Sequence, residues 1–301
     1  MHSRGSPISA NHVRLFEMRL RYLLARSYRR FFSIVFRLTF GKDNFAKHET
    51  YSKLDLLHHL FEIWFLSFCV RRIRRMVQSK LPGGSIAIQP FERDVAVITQ
   101  EIFVEQVYDR FYRLQNDDIV VDIGAHVGLF TLKVAKSVKL VLAVEPHPFN
   151  YRLLTMNIAL NKLENVIPVK LALSSYCGKA KLYLRSAGTH TLKGQIFGLE
   201  SGETLEVEVE TLDRLIDELR LNKVTFVKID VEGAELDVLK GSERVLTGND
   251  RLFLAIAAYH YPEEALEVAE YLRTRGFKVF TNGEYVYAFK PPDNPRVLLR
   301  L

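Results

Sequence analysis

The residues best suited to chemistry lie where predicted strands of the chain end. The apolar run IVVDIG ends in Asp122 and passes into a turn that contains Gly124, Ala125, His126 and Gly128. Glycines at this spacing permit a tight turn and the close approach of a ligand, and the predicted helix that follows offers unpaired amides at its N-terminus. The turn is suited to a nucleotide-like ligand.

The spacing of the glycines sets this turn apart from common phosphate sites. It reads G-x-x-x-G, without the third glycine of a dinucleotide fingerprint and without the Lys-Ser/Thr of a P-loop. Asp122 would repel a bound pyrophosphate, whereas a ligand with a positively charged centre tolerates an acid there. Taken alone, a glycine turn after a strand also fits an ordinary strand–helix loop.

Three later strands end in residues that extend the same candidate site. LVLAVEP ends in Glu145, where a carboxylate can accept hydrogen bonds from both ribose hydroxyls. VIPVKLALS ends in an apolar rim at Leu173 that suits an adenine ring, and VTFVKIDVEG ends in Asp230 with Glu232 beside it. Ligands of open α/β sheets bind at the carboxyl ends of the strands, so we expect one site here.

The elements that must position these residues alternate along the chain. After Leu81-Pro82-Gly83-Gly84, a predicted boundary, short apolar strand-like runs alternate with amphipathic helical runs. This alternation predicts an α/β fold with a parallel central sheet and helices on both faces. We predict a Rossmann-like domain over residues 85–292 and a tail over 293–301.

Residues 1–80 have a different character. They hold sixteen Lys and Arg against five Asp and Glu, which accounts for the net charge of +7 of the whole chain. Apolar and arginine positions recur at helical spacing, so we predict a basic amphipathic α-helical extension. Three interpretations stay open: packing on the catalytic domain, peripheral contact with an anionic membrane through residues 12–78, and nucleic-acid binding, which is the least favoured.

Composition excludes several protein classes. A hydrophobic content of 48% excludes disorder of the whole chain, and the two cysteines have no partner at metal-ligand or redox-motif spacing. The first residues lack the apolar core and small-residue cleavage site of a secretory signal. We expect a cytoplasmic protein, peripheral on the inner face of the cell membrane if the extension binds lipid.

An ordered set of segments resembles the FkbM-type methyltransferases over roughly residues 90–290. The segments are VVDIGAHVGLFTLKVAK, AVEPHPFNYRLLTMNIALN, LALSSYCGKAKLYL, ETLDRLIDE and FVKIDVEGAELDVLKG. The resemblance implies a seven-stranded methyltransferase fold that binds S-adenosyl-L-methionine and transfers its methyl group to a hydroxyl, often on a sugar, glycan or glycolipid. It further implies that Asp122, Gly124, Ala125 and Gly128 line the methionine part of the cofactor, Glu145 the ribose and Leu173 the adenine, with Asp230 beside the methyl group.

Methyl transfer to an alcohol also needs a group that takes the hydroxyl proton. His260, which follows the strand-like run FLAIAAYH, and His190, in the polar stretch 185–204, are the candidate bases; we expect that stretch to act as an acceptor-binding lid. Asp230 and Glu232 are expected to orient the acceptor, or to hold a metal if one is used. No structural metal is predicted, and His126 is interpreted as a cofactor-loop or packing residue.

One departure from the family pattern concerns the histidine. The family often has an acid just before it, whereas this chain has alanines at 257 and 258, which puts acid assistance to His260 in doubt. Two other functions stay open: a non-catalytic cofactor-binding scaffold, and an RNA methyltransferase, which the absence of an N/D-P-P-Y/F motif disfavours. The sequence leaves the oligomeric state open.

Overall fold

The computed structural model describes residues 76–90, 93–184, 190–194, 198, 202–221, 223–290 and 296–298. The predicted basic helices before residue 76, most of the predicted lid and most of the predicted tail lie outside the described residues. In the described part of the chain, every helix is too short or too polar to cross a membrane.

An antiparallel hairpin opens the described part of the chain. Strand β1 (Met76–Lys80) pairs with β2 (Ile86–Pro90) through a short turn at Pro82–Gly84. The side chain of Asn161 holds β2 in place, because its amide nitrogen donates to the Ile86 carbonyl and its oxygen accepts from the Ile86 N–H. The prediction of a helical extension reaching residue 80 is therefore wrong for Met76–Lys80, and Leu81-Pro82-Gly83-Gly84 is a hairpin connection, not a domain boundary.

The remaining elements alternate as the sequence pattern predicts. The strands are β3 (Ile119–Ile123), β4 (Leu140–Val144), β5 (Val166–Val169), β6 (Ala172–Leu173), β7 (Gly178–Leu184), β8 (His190–Thr191), β9 (Thr204–Glu210), β10 (Phe226–Ile229), β11 (Phe253–Ala257), β12 (Lys278–Thr281) and β13 (Tyr285–Phe289). The helices are α1 (Arg93–Gln100), α2 (Leu129–Val134), α3 (Pro148–Leu160), α4 (Leu212–Glu218), α5 (Glu235–Lys240), α6 (Glu243–Gly248) and α7 (Glu264–Arg273). A π-helical turn at Glu101–Glu105 continues α1.

Seven of these strands form one twisted sheet in the order β5-β4-β3-β10-β11-β13-β12. All of its neighbours pair in parallel except at β13, which runs antiparallel to both β11 and β12. The chain winds outward from β3 to β5 and then returns to β10 on the other side of β3. This reversal places a crevice at the carboxyl ends of β3 and β10, where ligands bind in such folds.

The core explains why the central strands read as continuous apolar runs. Every residue of β3, β10, β11 and β13 is buried, and separate hydrophobic clusters cover the two faces of the sheet. A strand covered on both faces has no solvent side to carry polar residues. The prediction of a Rossmann-like seven-stranded sheet with helices on both faces is confirmed, and β6, β9, β7 and β8 add a small second sheet.

Candidate functional site

The glycine turn lies where β3 meets α2, and its geometry requires glycine. Gly124 has a φ of +74°, and a Cβ there would lie 1.8 Å from the carbonyl oxygen of Asp230, so no side chain fits. The backbone N–H groups of Gly124 and Ala125 both donate to the Val144 carbonyl, which ties the turn to the end of β4. Gly128, with a φ of +89°, begins α2 against Leu154.

Asp122 stands beneath this turn and supports it. Its side chain is fully buried, accepts a hydrogen bond of 2.7 Å from Thr131 and lies 3.2 Å from the Lys228 ammonium. Lys228 in turn donates to the Gly124 carbonyl at 2.7 Å. Burial disfavours its charge, but Asp122 and Asp230 hold the Lys228 pKa above its usual value. The role of Asp122 at the methionine part of the cofactor stays a prediction; in the structure this acid forms an ion pair with a buried lysine that bonds to the turn.

A cavity of about 330 Å³ opens above the strand ends. It is lined by groups from the ends of β3, β4, β6 and β10 and from the segment that contains α1. The predicted site residues among its walls are Gly124, Ala125, His126, Glu145, Leu173, His190, Asp230 and Glu232. Asp122, Gly128 and His260 are not among its walls. The ends of β3, β4 and β10 therefore meet at one edge of the seven-stranded sheet, as predicted, whereas Leu173 reaches the cavity from β6 of the second sheet and not from the end of a continuous strand VIPVKLALS.

Glu145 lines this cavity and is almost fully buried. One carboxylate oxygen accepts the N–H of His126 and the other accepts the N–H of His147, each at 2.9 Å. Burial raises the pKa of Glu145 to about 7, against the lowering effect of these two bonds. The Asn150 side chain also bonds to this carboxylate and favours its ionised form.

The histidines around Glu145 belong to the same site. Burial, with help from Lys228, lowers the pKa of His126 to about 4, so its ring is neutral at pH 7. The rings of His147 and His190 lie 4.0 Å apart between centroids. His190 therefore lies beside His147, two residues after Glu145, while its neighbour Thr191 contacts Glu232.

Asp230 and Glu232, which line the cavity, form a cluster with His260, which lies behind the wall. The Nε2 atom of His260 lies 3.7 Å from an Asp230 oxygen and 3.9 Å from a Glu232 oxygen. The carboxylates are partly exposed, at 25% and 20%, whereas the imidazole is 3% exposed. Glu232 has a φ of +59°, and Thr191 donates to its carbonyl at 2.6 Å, which secures this left-handed bend.

A buried carboxyl pair supports His260 from behind. Nδ1 of His260 lies 3.1 Å from Glu264, whose same oxygen accepts the His260 backbone N–H, and 3.5 Å from Glu235. Burial and the neighbouring Glu264 raise the pKa of Glu235 well above its usual value. Burial also opposes ionisation of Glu264, but the bond from His260 lowers its pKa. Glu264 is thus the ionised member of the pair.

These contacts answer the doubt raised by the alanines before His260. An acid assists the imidazole, but it comes from Glu264, four residues later at the start of α7, instead of from the strand. Burial opposes a charge on His260, yet Glu264, Asp230 and Glu232 together raise its pKa. The spacing of His260 and Glu264, one helical turn, was a signal available in the sequence.

Two further residues were not foreseen from the sequence. Tyr108, fully buried, donates from its hydroxyl to Asp230 Oδ2 at 2.8 Å, and Lys228 lies 3.8 Å from the same oxygen. Burial and the Asp230 charge raise the pKa of Tyr108 well above its usual value, so it stays a donor. Tyr108 and Lys228 both lie near Oδ2 of Asp230, and Oδ1 is the oxygen that faces His260.

The chain is similar to known methyltransferases. The Methyltransferase FkbM domain model matches residues 122–279. Methyltransferase sdnD of Sordaria araneosa is 35% identical over 176 residues, covering 48% of this chain and 67% of that protein. Hexuronic acid methyltransferase AglP of Haloferax volcanii is 27% identical over 51% of this chain and 62% of its own length. The 31-O-demethyl-FK506 methyltransferase FkbM of Streptomyces tacrolimicus is 26% identical over 69% and 92%.

Proposed function

The chain belongs to the FkbM methyltransferase family, a group of enzymes that use S-adenosyl-L-methionine, and we propose that it methylates a hydroxyl oxygen of a sugar or glycan. The observation that carries this proposal is the meeting of a ribose-type carboxylate and an acidic cluster in one cavity. Glu145 lines this cavity together with Asp230 and Glu232.

The residues around Glu145 and Leu173 suit the parts of S-adenosyl-L-methionine. Glu145 is positioned to accept the two ribose hydroxyls, and Leu173 and Ala172 provide an apolar wall for the adenine. The turn at Gly124 and Ala125 gives the methionine part a close approach to the backbone. Bound there, the cofactor supplies an electrophilic methyl group on a positively charged sulfur.

The acceptor end must hold a hydroxyl in line with that methyl group and receive its proton. In-line positioning alone lowers the barrier by several kcal/mol, roughly 7–11 in well-oriented model reactions. The carboxylates of Asp230 and Glu232 can accept the hydroxyl hydrogen and so fix the direction of the attacking oxygen. Asp230 and Glu232 would receive the hydroxyl proton as the methyl group passes from the cofactor sulfur to the acceptor oxygen.

A sugar is favoured as acceptor by the rim of the cavity and by one relative. Tyr259 and Val97 line the cavity and are 46% and 54% exposed, so they present an aromatic and apolar surface on which the face of a sugar ring can lie. The Haloferax volcanii relative is named a hexuronic acid methyltransferase. We propose that His190, a residue of the cavity wall, lies near the bound cofactor.

For the region before the described residues, we propose contact with a membrane. The basic and apolar positions of residues 12–78 support docking on the inner face of the cell membrane, beside a glycolipid acceptor. Vesicles with and without anionic lipid, sedimented with the full chain and with a variant lacking residues 1–75, test this. Equal sedimentation of both forms would contradict it.

Methyl transfer itself is tested by release of S-adenosylhomocysteine in the presence of a panel of sugars, uronic acids and glycosides. We expect turnover with a carbohydrate hydroxyl, and mass spectrometry of the product should show a gain of one methyl group on oxygen. Asp230→Asn should abolish turnover, whereas Glu206→Gln, an exposed substitution on β9, should not change it. Turnover confined to nitrogen acceptors or RNA would contradict the proposal.

A further inference from the structure

We propose that Asp230, Glu232 and His260 bind a divalent metal ion of the Mn²⁺ or Mg²⁺ class at the acceptor end of the cavity. One donor atom from each residue lies within 4.8 Å of the others. The His260 nitrogen lies 3.7 and 3.9 Å from the two carboxylates. An ion equidistant from atoms so arranged would lie about 2.1–2.5 Å from each, which matches ordinary metal–ligand distances.

The histidine supplies an observation independent of the acids. Its side chain is 3% exposed, and within the described residues its Nε2 atom has no hydrogen-bond partner. Buried polar atoms are nearly always bonded, so this atom requires an explanation. It is aimed at the space between the two carboxylates, where a cation would satisfy it.

Each proposed ligand is also held by a neighbour in the way that metal ligands usually are. Glu264 can accept the Nδ1 proton of His260, which leaves the Nε2 lone pair directed at the ion. Tyr108 engages one oxygen of Asp230 and leaves the other for coordination. Thr191 holds the Glu232 backbone in its left-handed bend. These bonds orient the three donors before any ion arrives.

The donor set narrows the class of ion. Two carboxylates and one imidazole, with coordination positions open toward the cavity, suit Mn²⁺ or Mg²⁺ better than they suit metals that prefer thiolate. The proposed role, though not the binding itself, rests on the proposed function. A coordinated acceptor hydroxyl ionises more readily and is fixed in position, and its proton can leave to a carboxylate oxygen that does not hold the ion.

The test uses the full chain, treated with a chelator and titrated with Mn²⁺ while electron paramagnetic resonance measures the free ion. We expect saturable binding of one ion per chain. Glu232→Gln and His260→Gln should each weaken binding at least tenfold. Glu206→Gln, a matched substitution on an exposed strand, should bind as the wild type does.

A second readout guards against variants that fail to fold. Pulsed resonance of Mn²⁺ bound to the wild type should show the ¹⁴N coupling of one directly bound imidazole. No saturable binding by the wild type, or binding without that coupling, would overturn the proposal and leave His260 to hold a proton. Neither cofactor nor acceptor is present in this titration, so its failure is distinct from failure of methyl transfer.

Discussion

The carboxylate of Glu145 gives a prediction that joins cofactor affinity to pH. Its pKa of about 7 in the free protein is a consequence of burial. Ribose hydroxyls donate to the ionised form, so the cofactor should bind best where Glu145 has lost its proton. Because the pKa is raised, the ionised form is present above pH 7 and is lost as the pH falls through that value.

The magnitude follows from proton linkage. We assume that the complex holds Glu145 ionised down to pH 6. In the free protein, about nine tenths of Glu145 is ionised at pH 8 but only about one tenth at pH 6, so the affinity at pH 6 should be about tenfold lower than at pH 8. Glu145→Gln removes a hydrogen-bonded charge. A bond to a charged group contributes about 1.5–3 kcal/mol, so the variant should bind more weakly by about 10- to 150-fold at pH 8.

Calorimetry with S-adenosylhomocysteine at pH 6, 7 and 8 measures both effects. The amino group of this ligand titrates in the wild type and the variant alike, so the difference between the two proteins isolates Glu145. Wild-type affinity should fall with decreasing pH more steeply than that of Glu145→Gln. Parallel pH profiles, or a variant with wild-type affinity, would refute the assignment of Glu145 to the ribose.

Other predictions concern the turn, the rim and the end of the chain. Gly124→Ala should abolish cofactor binding because its Cβ cannot fit, whereas Gly283→Ala, also at positive φ but in open space, should cost only about 1 kcal/mol of stability and leave binding intact. Tyr259→Ala should raise the KM for a sugar acceptor severalfold with little change in cofactor affinity. Arg296→Gln should lower the unfolding free energy by about 2 kcal/mol in urea, because it leaves a buried carboxylate without its ion pair, while Arg214→Gln on the exposed surface should change it much less. The reasoning would be wrong if Gly124→Ala and Gly283→Ala had equal effects on cofactor binding, or if Arg296→Gln and Arg214→Gln had equal effects on stability.

The sequence predicted the strand ends because their signals are local. Apolar runs that end in a glycine or an acid define where β3, β4 and β10 stop, and the alternation of strands and helices defines the sheet. From these, the meeting of Gly124, Glu145 and Asp230 follows by a general property of parallel sheets. The structure shows that these three residues line one cavity, and their roles stay predictions.

The supporting residues could not be predicted in the same way. Lys228 pairs with Asp122 across neighbouring strands that are far apart in the chain, and inside the run VTFVKID the lysine reads as an ordinary polar residue. Tyr108 reaches Asp230 because the chain passes through a π-helical turn and then Gln106, at a φ of +55°. Neither the tertiary pairing nor the turn leaves a periodic signal.

The ion pair with Lys228 changes the electrostatic role of Asp122. Asp122 was expected to disfavour phosphate, but its charge is compensated by Lys228, so it says little about the ligand. The acidic residues in the cavity wall set the charge that a ligand meets instead. They include Glu101, Glu145, Asp230 and Glu232, and the Lys228 ammonium is engaged beneath the turn by Asp122 and the Gly124 carbonyl. A cavity with this balance attracts a sulfonium and a divalent cation, and repels a pyrophosphate, which places the selectivity in the wall and not in the glycine turn.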